Sequence, residues 1–256
     1  DSSVLTVVGD GNLTINLNSG KYFGIGNSLD EYHGELNFYQ DGGIIINANG
    51  MKGIGIGSGL GGFINIKRGH YEFDMKGQEG ACIGSVNGDS ELLIEYCDMD
   101  IYSGISNGTI IGSVNGDADI KLENISAKLQ GAGNIITGIG TIAGNSCMVR
   151  LENVNISSNI RAKECYGIGC RAGRTDIYIG YAAVKSVVQG KAAVAFGNSV
   201  MSAKLYCSNA DIGTNAVTEF NSDIGALEKN IQLENGRAEF ILNGQEVKRQ
   251  ILAARL

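Results

Sequence analysis

The sequence predicts an all-β fold, a single right-handed parallel β-helix of about eight turns of roughly 28 residues closed by a short C-terminal helix. Three observations predict it. An isoleucine followed by glycine recurs at Ile25, Ile56, Ile83, Ile111, Ile139, Ile168 and Ile224, with Phe196 taking the place once, at intervals of 31, 27, 28, 28, 29, 28 and 28 residues. Apolar residues then follow each pair with period two, as Ile120 and Leu122, then Ile125, Ala127 and Leu129 do after Ile111. Finally, the chain carries 39 glycines and no proline. In a solenoid every strand is bonded above and below, so a proline would delete a ladder bond with no edge to hide it on.

The elements of one turn follow in order. Numbering from the isoleucine as zero, one short strand holds offsets −2 and 0, a second +9 and +11, a third +14 to +18. Alternation of period two puts each set on one face, and all three faces point inward. Between strands lie Gly, Asn, Asp and Ser, the residues that supply turns. Ser85-Val86-Asn87-Gly88-Asp89 and Ser113-Val114-Asn115-Gly116-Asp117 are nearly the same five-residue turn. Local shifts of the apolar set absorb the irregular intervals: one position late in Val149, Leu151, Val154 and Ile156, one early in Ile64, Ile66, Tyr71 and Phe73. The 31-residue repeat needs a bulge or a turn longer by three residues.

The repeats begin near residues 23, 54, 81, 109, 137, 166, 194 and 222 of one domain spanning 1–256. Right-handedness follows the general rule for parallel crossovers. After the turn signal Asn243-Gly244, residues 245–256 have helix-forming composition, with Val247, Ile251 and Ala254 on one side, and are expected to cap the rod. At the other end the partial turn of Leu5, Val7, Leu13 and Ile15 begins at once, so a preceding domain or a partner is expected to cover it.

Net charge of −7 argues against phosphate contacts, hence against nucleic acid as a partner. No run of apolar residues is long enough for a membrane span. Of six cysteines, Cys97 and Cys207 fall on inward columns as small buried hydrophobes, and Cys165 and Cys170 lack the spacing of a zinc site. His33 and His70 sit among ordinary turn residues, with no catalytic spacing around them, and are expected at the surface. The glycine-rich string Gly53–Gly62 lacks the Lys-Ser/Thr of a phosphate loop and stays in register with the repeat. No catalytic residue is expected.

Binding residues are sought on the outside. Stacking by 28 brings Glu95, Glu123 and Glu152 into one outward column, with Lys121 and Arg150 beside them to offset the repulsion. A solvated, ion-paired face is the plainer reading of this column. A calcium or other cation site is the lesser alternative, and no cofactor or metal centre is otherwise expected. Outward Tyr178 and Tyr206 on adjacent turns form a two-ring platform of the kind sugars stack on. A second candidate is the −1 column, Gly24, Gly55, Cys82, Ile110, Gly138, Gly167 and Ala195, ending in Asp223, which alternation places outside, either as a tight corner with no room for side chains or as a flat, small-residue interaction face.

The core Gly80-Ala81-Cys82-Ile83-Gly84-Ser85, the triplet Gly167-Ile168-Gly169 and the opening Gly9-Asp10-Gly11-Asn12-Leu13-Thr14-Ile15 resemble the AGIGGG-type repeats and GDGTLTI lead-in of β-helical surface proteins from gut Firmicutes. The resemblance covers nearly all of the chain and carries no catalytic residue. It implies a solenoid that binds carbohydrate or presents a surface, at the cell surface or secreted. The expected function is therefore a non-catalytic binding or adhesion module for a polysaccharide or protein partner. The alternatives are a structural or regulatory C-terminal solenoid of a larger protein, and a polysaccharide lyase or hydrolase.

Overall fold

The computed structural model describes residues 3–199, 202–219 and 231–252. They form eighteen strands joined in one continuous sheet wound into coils. Stacking is parallel and follows the isoleucine beat: Ile25 pairs with Ile56, Ile56 with Ile83, Ile83 with Ile111, Ile111 with Ile139, Ile139 with Ile168 and Ile168 with Phe196. From Ile56 to Phe196 this column is fully buried. Ile224 and the start of its repeat lie outside the described residues.

The irregular intervals resolve where the apolar shifts require. The extra residue of the 29-residue repeat is a bulge between Ala143 and Ser146. The three added residues of the 31-residue repeat sit in the turn between Lys21–Gly26 and Gly34–Gln40, which the Asn27 amide braces by donating to the Tyr32 carbonyl at 3.2 Å.

The glycine of the beat is required by its backbone. Gly84 has φ +132°, and a Cβ there would lie 1.8 Å from the Gly112 carbonyl oxygen of the next turn. Gly57, Gly112 and Gly140 repeat both features, so no L side chain fits this column.

Each residue of the five-residue turn is fixed by a contact with the turn below or with the core. Ser113 is buried, donates to the Gly88 carbonyl of the turn below at 2.7 Å and accepts from the Gly116 amide at 2.8 Å. Val86 and Val114 join Ile142, Leu29 and Ile54 in a second, smaller apolar cluster. Asn115 donates to Asn87 in a ladder at 3.4 Å. Gly116 makes room for the turn below, since a Cβ there would meet the Gly88 carbonyl at 2.2 Å. Asp89 Oδ1 accepts the Asp117 amide at 2.8 Å.

Three expectations are corrected. The −2 column does not point into the main core: Ile54 and Phe23 pack instead on the smaller cluster. The −1 column lies inside rather than outside. Cys82, Ile110 and Ala195 are fully buried members of the main core, and a Cβ on Gly55 would meet Met75 Sδ at 2.9 Å and Phe73 at 3.3 Å. Gly24, Gly138 and Gly167 occupy the same position, and Asp223 lies outside the described residues. The cause is a break in the alternation, since regular pairing skips this residue: Thr109 pairs with Ala81, then Ile111 with Ile83. Two consecutive residues, −1 and 0, therefore face the interior.

The expected capping helix is the third. Gln245–Leu252 is a strand, antiparallel to Ile231–Leu242. Asn243 and Gly244 have φ of 49° and 80°, the doubly left-handed turn that makes a two-residue hairpin. Ladder bonds outweigh the helical propensity of this segment. Residues 253–256 lie outside the described residues.

Candidate binding face

The second strand of each turn, exemplified by Asp89–Glu95 and Ala118–Glu123, builds a flat sheet whose outward residues form vertical columns. Register places Lys121, Arg150, Tyr178 and Tyr206 in one column, and Lys67, Glu95, Glu123, Glu152 and Gly180 in the next. All five binding residues expected from the sequence therefore share a single face.

Their charges are paired off in part. Lys67 Nζ lies 3.2 Å from Glu95 Oε2, and Lys121 Nζ lies 2.7 Å from Glu123 Oε2. The hydrogen bond to Glu123 is the chief cause holding the Lys121 ammonium above its ordinary pKa. Arg150 does not serve the glutamate column as expected; its guanidinium turns to Asp119 at 2.7 Å and to the Met148 sulfur. The Glu152 carboxylate spreads over Gly180, filling the space a side chain there would take. Exposed ion pairs of this kind each contribute about 0–1 kcal/mol, so they shape the face more than they stabilise it.

Tyr178 and Tyr206 have ring centroids 6.3 Å apart and planes inclined by 47°. They offer two facets rather than one continuous plane. The Tyr206 hydroxyl donates to Glu234 Oε2 at 2.8 Å, and this bond is the first cause raising its pKa. Tyr178 is 44% exposed and stands at the edge of a groove of about 400 Å³ between Lys121, Glu123, Arg150 and Glu152. Tyr39 is five turns away, its hydroxyl donating to Asn37 at 3.2 Å and accepting from Asn65 at 3.0 Å.

The groups with nucleophilic or acid–base potential lie elsewhere. All six cysteines are free thiols and buried. Burial pushes Cys82, Cys97 and Cys207 up to about 12 and Cys165 and Cys170 up to about 11, which leaves them protonated. His70 is exposed, but His33 is not at the surface as expected. It is only 5% exposed, its Nδ1 lies 2.9 Å from the Ser58 hydroxyl, and burial lowers its pKa to about 4, partly opposed by the Phe63 backbone. Among the described residues no group of three or more His, Cys, Asp or Glu side chains is arranged to hold a metal ion.

Sequence reasoning missed the corner that follows this face. Arg68, Tyr96, Asn124, Asn153, Tyr181 and Asn209 recur there at the repeat spacing, all left-handed, with φ between 47° and 65°. Three asparagines at one offset were the available signal, since Asn tolerates that conformation better than other L residues. Comparisons with protein-family models, with curated proteins and with solved structures gave no significant match to this chain.

Proposed function

We propose that the solenoid is a non-catalytic binding module for carbohydrate, presented on the flat outer sheet. The observation that carries this reading is the Tyr178–Tyr206 ring pair, in which exposed Tyr178 stands at the edge of a groove walled by partly neutralised charged side chains and half-buried Tyr206 backs it. An aromatic ring stacks on the apolar face of a pyranose, while neighbouring carboxylates and ammonium groups bond its hydroxyls. Buried, protonated thiols and a neutral, buried His33 favour binding over chemistry.

A glycan microarray probed with the wild-type chain and with Tyr178→Ala tests the reading. Wild-type signal on a defined set of glycans that falls about tenfold or more in the variant is expected. Absence of wild-type signal across plant, host and bacterial glycans removes the proposal, as does a signal indifferent to Tyr178.

A further inference from the structure

Around the left-handed corner from Tyr178 lies a trough of about 940 Å³ along the rod axis. One wall is the corner column, represented by Asn124, Asn153, Tyr181 and Asn209. Its floor is the first outward column of the third sheet, where Asp98, Ser126, Asn155, Ala183 and Asp211 stack in register. At ~4.8 Å per turn these five rungs span roughly 19 Å. The middle of the floor is small and uncharged, and carboxylates stand at both ends.

Two features single this trough out. Tyr181 is 63% exposed and left-handed at φ 47°, where the residues directly above and below it are asparagines. A bulky side chain at such a backbone position is strained; Tyr181 lines the trough, and its hydroxyl makes no hydrogen bond among the described residues. In addition, Asn153 Nδ2 donates to Asn124 Oδ1 at 2.6 Å, which leaves the Asn124 amide hydrogens and the Asn153 carbonyl oxygen for another partner. An uncharged, hydroxyl-rich chain meets both demands, and terminal carboxylates disfavour a polyanion.

We propose that this trough binds an extended segment of neutral polysaccharide running along the rod, with one sugar ring on Tyr181 and hydroxyls bonded to the Asn124–Asn153 amide ladder. The inference rests on the carbohydrate reading above but assigns a different face and a class of ligand. The segment is a chain of several sugars, since a single ring would cover only a fraction of five rungs.

Native affinity electrophoresis tests it, with xylan, mixed-linkage β-glucan and galactomannan as neutral probes and polygalacturonate as the anionic one. The wild-type chain is expected to be retarded by at least one neutral polymer and not by polygalacturonate. Tyr181→Asn, which installs the residue its neighbours already carry, and Ala183→Lys, which fills the floor, should each weaken retardation at least tenfold. Arg68→Asn installs the same residue on the same column one turn beyond the five rungs and should leave retardation unchanged; circular dichroism melting confirms that each variant folds. If Tyr178→Ala abolishes retardation while Tyr181→Asn and Ala183→Lys do not, the trough assignment is overturned and the carbohydrate reading survives. Retardation by polygalacturonate alone also overturns the trough, and retardation by no polymer overturns both. Self-association that Tyr181→Asn abolishes, without polysaccharide retention, overturns the proposal in favour of a second copy of the chain.

Discussion

The backbone amide of Asp117 donates to the carboxylate of Asp89, one turn below, at 2.8 Å. Asp117 repeats the arrangement upward, its Oδ1 accepting the amides of Asn145 at 2.6 Å and Ser146 at 3.0 Å. These aspartates, Asp89 exposed and Asp117 half-buried, stand in register as struts between successive turns.

Replacing Asp117 by alanine should therefore cost about 1–2 kcal/mol, since two backbone donors at the Ala143–Ser146 bulge lose a charged acceptor. Asn in its place keeps an acceptor oxygen and should cost about half as much. Urea denaturation of both variants measures this; equal losses would show that the carbonyl oxygen contributes nothing.

Buried His33 makes stability depend on pH. Its folded pKa is about 4 against an ordinary 6.5, so between these values the unfolded chain binds the extra proton. Its contribution is full above about pH 6.5 and declines as pH falls toward 4, by roughly 3 kcal/mol in total. Denaturation midpoints taken from pH 7 to 4 should fall accordingly, and His33→Asn should flatten that part of the profile.

Interior placement of the −1 column makes Gly138 as sensitive as its neighbour. A Cβ at Gly138 would lie 2.5 Å from the Gly167 carbonyl and 3.3 Å from Ser158 Oγ. Gly138→Asp and Ile139→Asp should both destabilise by more than about 3 kcal/mol, each forcing an unpaired carboxylate among buried groups. A Gly138→Asp chain that melts like wild type would return the column to the surface.

At the left-handed corner the expected sign is reversed. Tyr96 (φ 55°) and Tyr181 (φ 47°) pay a conformational cost that Asn124 and Asn153 reduce. Tyr96→Asn and Tyr181→Asn should raise stability by about 0.5–1 kcal/mol each, read from thermal unfolding.

Much of this fold was legible because one interval carries it. Ile111 and its counterparts repeat, are buried and stack in register, so period and burial report the same fact twice. The face holding Tyr178 and Tyr206 was legible for the same reason. Strict alternation failed at Cys82 and Ile110, where a break lets two consecutive residues turn inward; the adjacent apolar pairs Cys82-Ile83 and Ile110-Ile111 were the hint. Helical composition misled at Gln245–Leu252 because the Asn243-Gly244 turn, local and specific, decides pairing before propensity does. His33 was misplaced because its partner Ser58 lies a full turn away, beyond any sequence window centred on it.

The strut from Asp117 to Asp89, the Ser113 bond to Gly88 and the steric fit of Gly84 beneath Gly112 all join a turn to the one beside it. Nothing in that set refers to a turn's absolute place along the rod. Residues 84–111 could thus be excised as one cassette, leaving Ile83 followed by Gly112 and Ser113 followed by the same Val-Asn-Gly-Asp. The rod is a ruler whose length can change by whole divisions: Tyr178 and Tyr181 keep their mutual spacing, while Glu95 and Asp98 leave with the excised division.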